Sequence, residues 1–271
     1  MDRERRNRTD RTQHVLVFLA IIATVATLLV AGIVKIEPGG DSLDASPGDP
    51  SKRALAGDGT DTTTTSTTLP PIPPPTAPGG VAPAISRVET TEKVLFLGID
   101  DGLVRDPAVL DYLAANDIPF TSFLQANLLD ADPAFWARHR AIGGAIQSHT
   151  LTHPNLTKLG ADQVREQVCG SADAIARSTG VRPILFRPPY GAYNATVQAI
   201  AAECGYVALV LWKGATNDGR VDLQEKVLKP GDILLMHWRP DLLVNLQNVV
   251  ALARSQGFRI AKLESYLAPI P

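Results

Sequence analysis

Val94-Leu95-Phe96-Leu97-Gly98-Ile99-Asp100-Asp101-Gly102 decides how this chain folds and where its chemistry lies. An apolar run followed at once by two acids and a glycine reads as a buried strand that ends on a charged pair. Two carboxylates side by side and out of water are costly unless a cation or a shared proton resolves them. One acid of such a pair is expected to hold a metal and the other to move protons. Matching partners lie downstream in Ser148-His149-Thr150-Leu151-Thr152-His153-Pro154, where two imidazoles stand four residues apart. One carboxylate and two imidazoles make a metal site with room left for water.

Outward from this stretch, apolar runs alternate with helical patterns from Glu92 onward. Strands are expected at 94–99, 119–124, 145–147, 183–186, 206–211, 233–236 and 258–261, and helices at 108–115, 133–141, 161–178, 195–204 and 243–256. Within 163–178, Val164, Val168, Ala172, Ile175 and Ala176 recur at helical spacing. Strands alternating with helices argue for a parallel sheet, closed or open. Seven strands within 92–271 suit an α/β fold, a distorted, incomplete (β/α)7-type barrel. Chemistry in such barrels gathers at the C-terminal ends of the strands. Asp100 and Asp101, residues 148–153, residues 187–191, Asn217 with Asp218, and His237 all follow expected strands. Singly, each has an ordinary reading: a turn or helix cap, a surface pair of histidines, a stiff proline loop, a satisfied core histidine. The chain has five histidines, however, and three of them stand directly after expected strands on one rim.

The ordered set Gly98-Ile99-Asp100-Asp101-Gly102, His149-Thr150-Leu151-Thr152-His153, Arg187-Pro188-Pro189-Tyr190-Gly191 and Leu235-Met236-His237 resembles the polysaccharide deacetylase family with the NodB homology domain, carbohydrate esterase family 4. The resemblance covers roughly 92–267. It implies that Asp101, His149 and His153 bind a divalent metal, most often zinc in this family. It implies Asp100 as general base, Arg187 as the partner that holds Asp100 ionised, the backbone N–H of Tyr190 as an oxyanion donor, and His237 as general acid. Such a set suits an N-acetyl amide. A metal polarises the carbonyl and lowers the pKa of bound water, a positioned imidazole protonates the poor leaving amine, and two donors stabilise the oxyanion.

Two departures from the family pattern bear on these expectations. The first motif usually opens Thr-Phe, where this chain has Gly98 and Ile99, and Leu103 stands where proline is common; all three read as packing positions. The fourth motif usually carries an acid and then an aspartate followed by Trp. Here Ala215 and Gly219 stand in place of the acid and the Trp, and Asp218 remains as the expected partner of His237, raising its pKa. The acetyl pocket is expected to be walled by Leu235, Pro188 and Pro189, with Trp238 or Trp212 substituting for the lost Trp.

The first ninety residues read differently. Residues 1–14 form a basic head with five arginines, and 15–34 carry no charge, long enough to cross roughly 30 Å of hydrocarbon at ~1.5 Å per residue. Arginines upstream put the N-terminus in the cytoplasm and the bulk of the chain outside. A cleaved signal peptide is the alternative, against which the length of the run and the lack of an A-x-A site count. Residues 35–91, rich in Thr, Pro and Gly, read as a disordered linker, leaving 92–271 as the folded domain. The net charge of −2 gives no reason to expect nucleic acid as a partner. Cys169 and Cys204 are either a disulfide or two buried thiols.

The expected function is removal of N-acetyl, or less favourably O-acetyl, groups from an envelope or extracellular glycan, with peptidoglycan ahead of chitin oligomers and xylan. A catalytically weak glycan-binding domain is the alternative that the altered fourth motif raises. A non-haem iron oxygenase would use the same ligand types, but has no need of Asp100, Arg187 and His237 as acid and base.

Overall fold

A computed structural model describes residues 80–267. The head, the apolar run 15–34 and most of the linker lie outside these residues; among the described ones no helix is long and apolar enough to cross a membrane. All seven expected strands form: β2 (Val94–Asp101), β3 (Thr121–Leu124), β4 (Ala145–Ser148), β5 (Leu185–Phe186), β6 (Ala208–Val210), β9 (Asp232–His237) and β10 (Arg259–Ile260). The five expected helices form too: α1 (Pro107–Ala115), α2 (Pro133–Ala141), α3 (Ala161–Thr179), α4 (Ala195–Glu203) and α5 (Leu242–Ser255). Their starts are written into the sequence. Asp106 and Asp132 each precede a proline and accept from the amides of Ala108 and Phe135, and Asn194 accepts from Val197.

Three strands extend the expected set. β1 (Ala84–Ile85) pairs with β6, and β7 (Gly214–Asn217) and β8 (Arg220–Leu223) form a hairpin beside β9. The order is β1-β6-β5-β4-β3-β2-β9-β7-β8, parallel except for the β7–β8 hairpin. Because β1 and β8 are the two ends of that path, the sheet is an open half-barrel. β1 also corrects the boundary at 91: Ala82 and Val88 are buried and Arg87 is bonded to Asp232, so residues 82–91 belong to the folded domain. Short apolar pieces among prolines and glycines hide such a strand.

Alternation along β2 sorts its side chains between two layers. Val94 and Phe96 join Phe123, Leu185, Val210 and Ile233 in the barrel interior, whereas Leu95, Leu97 and Ile99 pack outward against α1 and α5 residues such as Leu110 and Leu246. α3 and α4 cover the opposite flank through Val164, Val168, Val197 and Ile200. There Cys169 and Cys204 are joined in a disulfide.

Candidate metal centre and cleft

At the C-terminal rim the pleat of β2 stops at Asp101, whose φ of 77° is left-handed. Asp100 and Asp101 therefore line one cleft of about 210 Å³ instead of opposite faces. His149 and His153, on the loop after β4, complete a set with Asp101 whose ligand atoms all lie within 4.8 Å of one another. The Nε2 atoms of His149 and His153 stand 3.8 and 3.5 Å from Asp101 Oδ1. His149 Nδ1 is 2.6 Å from the carbonyl of Arg187, to which it donates, so Nε2 turns its lone pair into the cleft. Burial pushes the His149 imidazole down to about 3, keeping it the neutral ligand a metal requires. Gln125 Nε2 donates to Asp101 Oδ1 at 3.2 Å. Two imidazoles and one carboxylate, with the outer nitrogen of one imidazole already committed, fit a divalent cation of the zinc class.

Asp100 is held differently. Its Oδ1 accepts from Arg187 Nη1 at 2.6 Å, while Oδ2 lies 3.6 Å from His149 Nε2. Arg187 is fully buried, donates through Nε to the carbonyl of Val210 at 3.0 Å and stacks on Phe123, 4.1 Å from the ring centroid. Burial raises Asp100 to about 6 against the opposing pull of Arg187 and His237. It is thus ionised at neutral pH yet basic enough to take a proton. His237 faces it across the sheet, their Cα atoms paired in the β2–β9 register. Burial lowers His237 from its ordinary value, and the Asp100 carboxylate works against that shift.

The cleft is lined by Asp100, Asp101, His149, His153, Pro188, Tyr190, Trp212, Leu235, His237 and Arg239. Nine of these, all but Arg239, were expected from the sequence as site residues. Tyr190, with left-handed φ of 60°, sets its ring edge-on to His153 at 4.8 Å. Arg187 stands behind the cleft, where its part is to hold Asp100. Pro189 is buried and opens the short turn that carries Tyr190, so it does not wall the pocket.

Two further expectations are corrected. Trp238 is not a pocket wall: it is buried among Phe135, Trp136 and His139, with Nε1 donating to Ser122 Oγ at 3.1 Å. Trp212 occupies the cleft instead. Asp218 is not bonded to His237 either. It is exposed, and Asp218-Gly219 are the two central residues of the β7–β8 hairpin, both at positive φ (48° and 77°), the geometry of a type I′ turn. Its N–H donates to Asp241 Oδ2 at 2.9 Å. An Asp-Gly pair between two short strands was the signal for this hairpin. Arg239 was missed, although it follows His237 by two residues at the same strand end.

Gly98 also proves to be more than a packing position. A Cβ there would stand 2.5 Å from Arg187 Nη1 and 2.8 Å from Cζ. The guanidinium thus occupies the space in which a side chain at residue 98 would lie.

The described domain is an open α/β half-barrel with a two-imidazole, one-carboxylate cluster at its C-terminal rim. Residues 87–209 match the family model for polysaccharide deacetylase. An uncharacterised protein of Streptomyces coelicolor is 36% identical over 196 residues, covering 68% of this chain and 77% of that one. A chitooligosaccharide deacetylase of Sinorhizobium fredii is 32% identical over 66% of this chain and 94% of its own. The peptidoglycan-N-acetylglucosamine deacetylase PgdA of Listeria monocytogenes is 28% identical over 67% of this chain, which spans 40% of that protein's length. This chain belongs to the polysaccharide deacetylase family. The same fold, with a TM-score of 0.62 at 22% identity over 70% of each chain, is found in a family 4 carbohydrate esterase pseudoenzyme from Bacillus anthracis, so the fold alone does not carry activity.

Proposed function

We propose that this chain is a metal-dependent deacetylase that hydrolyses N-acetyl groups, with O-acetyl groups second, on an envelope glycan, peptidoglycan ranking first. The observation that carries the reading is the division of labour between the adjacent acids: Asp101 with two imidazole ligands, Asp100 with a buried arginine. A bound divalent cation, zinc by preference, would polarise the acetyl carbonyl and acidify water. Asp100 Oδ2 then accepts the proton of the attacking water. Arg187 keeps that carboxylate ionised and oriented. The Tyr190 backbone N–H donates to the developing oxyanion, and His237 returns a proton to the departing nitrogen. Leu235 and Trp212 give the acetyl methyl an apolar seat.

Relatives named for peptidoglycan and for chitooligosaccharides support a glycan carrying N-acetylglucosamine. The charge-free run 15–34 behind a basic head supports attachment to the cell membrane with the domain outside, where peptidoglycan is the nearest acetylated polymer. A catalytically weak, glycan-binding reading is favoured by one observation: the acid expected to support His237 is spent in a turn. Acetate release from purified peptidoglycan, chitin oligomers and acetylated xylan, with and without chelator, separates the two. Release that the chelator abolishes and zinc restores supports the enzyme; none from any substrate with metal bound defeats it.

A further inference from the structure

Arg239 stands apart from the other charges of the cleft. Asp100 is compensated by Arg187, and Asp101 belongs with the imidazoles. Arg239 lines the same cleft, is exposed, and among the described residues its guanidinium has no ion pair or hydrogen bond. Its nearest acid in sequence, Asp241, spends Oδ2 on the amide of Asp218 and on Asn245 Nδ2. The backbone beneath Arg239 is fixed: its N–H donates to the carbonyl of His237 at 2.8 Å, its own carbonyl accepts from Leu242 at 3.1 Å, and Trp238 between them is locked in the core. A planar donor set on a fixed turn, open to solvent and facing a reaction cleft, is matched by a carboxylate.

We propose that Arg239 is a specificity residue that binds a carboxylate carried by the acetylated glycan, so that this domain prefers an anionic glycan to a neutral one. The inference rests on the deacetylase reading and narrows its substrate class. Two sugars supply the same chemistry: a 3-O-lactyl sugar, as in glycan strands freed of stem peptide, and a uronic acid alternating with N-acetylglucosamine.

The test is acetate release by zinc-loaded wild type, Arg239→Gln and Arg239→Lys on four substrates. These are chitopentaose, peptide-free peptidoglycan strands, the same strands methyl-esterified, and oligosaccharides of alternating glucuronic acid and N-acetylglucosamine. Arg239→Gln is expected to lower kcat/KM on a carboxylate-bearing glycan about 10- to 100-fold, the range of a hydrogen bond to a charged group. The loss should appear in KM and be at least about tenfold greater than on chitopentaose. Esterification should impose the same loss on wild type and none further on the variant, and Arg239→Lys should recover part of it. The two anionic arms show which sugar supplies the carboxylate. Equal losses on neutral and anionic glycans, or no loss on either anionic one, overturn the proposal. If wild type releases acetate from none of the four, the deacetylase reading fails, and calorimetric binding of the same glycans decides for Arg239. Weaker binding of an anionic strand to Arg239→Gln upholds its role, and equal binding refutes it.

Discussion

Gly98→Ala is a small change with a large expected effect. The added methyl would press on the Arg187 guanidinium at 2.5 to 2.8 Å, where non-bonded carbon contacts settle near 3.5–4.0 Å, so the group must retreat on the order of 1 Å. Its retreat is opposed: the Phe123 ring centroid lies 4.1 Å from Cζ, and Asp100 and the Val210 carbonyl hold its nitrogens. Yielding means parting a fully buried ion pair, a loss of about 3–5 kcal/mol. For a domain of this size that lowers Tm by roughly 6–20 °C. The three nearest atoms to the methyl all belong to Arg187, so zinc stoichiometry should persist while acetate release falls. Calorimetric melts of Gly98→Ala, Arg187→Met and the double variant isolate the cause. If the clash is with the guanidinium, the glycine change costs little once Arg187 is gone, and the cycle is strongly non-additive. Additive costs, or a Gly98→Ala melt within about 1 °C of wild type, would refute the account.

Asp100→Asn should retain zinc while turnover drops about 10²–10⁴-fold, the contribution of a general base; loss of metal in this variant would make Asp100 a ligand. His149→Ala should instead lose metal, measured by atomic absorption after dialysis. Reduction of Cys169–Cys204 removes a link spanning 35 residues and should destabilise the domain by about 4 kcal/mol in urea melts under dithiothreitol. Burial holds His139 neutral, at about 3 against an ordinary 6.5. Its folded value is depressed, so the unfolded chain takes up the proton first. Stability is therefore full above pH 6.5 and declines by about 1.4 kcal/mol per unit as pH falls toward 3. His149 acts in the same direction, so the measure is the difference: His139→Gln should have a shallower slope between pH 6.5 and 5 than wild type.

Much of the domain is legible because its signals are local. Strand β2 announces itself by an unbroken apolar run, and α1, α2 and α4 by an Asp or Asn cap at the right place. The candidate metal ligands are legible because Asp101 ends a strand and His149 and His153 stand on the loop that follows one. What escapes is set by neighbours distant in sequence. Trp238 follows His237 directly, yet the alternation of β9 sends its ring outward to Ser122 and His139 while His237 faces the cleft. Asp218 matches a motif position, but a two-residue loop between strands needs left-handed backbone, and Asp-Gly supplies it; turn geometry takes precedence over the motif. Gly98 is invisible as a requirement until Arg187, 89 positions on, is seen lying across it.

The rim shows why such a site needs a whole barrel beneath it. Asp101, Thr150, His153 and Tyr190 all have positive φ, at 77°, 71°, 65° and 60°. For a residue with a Cβ this costs on the order of 1–3 kcal/mol each, so the four together are comparable with the net stability of an ordinary domain. Each is held from outside itself. The Asp101 carbonyl accepts from Gln125, the Thr150 carbonyl from Ala126, and the Thr150 hydroxyl accepts from the amide of His153. Gly191 closes the turn beneath Tyr190 by donating to Pro188. Two of these bonds run from the β3 loop to β2 and to the β4 loop, the other two close the β4 and β5 turns, and the His149 ring, donating to the Arg187 carbonyl, ties the β4 loop to the β5 end, which makes the rim one cross-braced unit. A loop able to relax would turn Asp101 back into the pleat and separate it from the histidines. The bracing keeps adjacent acids on one side of the sheet, and the proposed division, with Asp101 on a metal and Asp100 on a proton, depends on that arrangement.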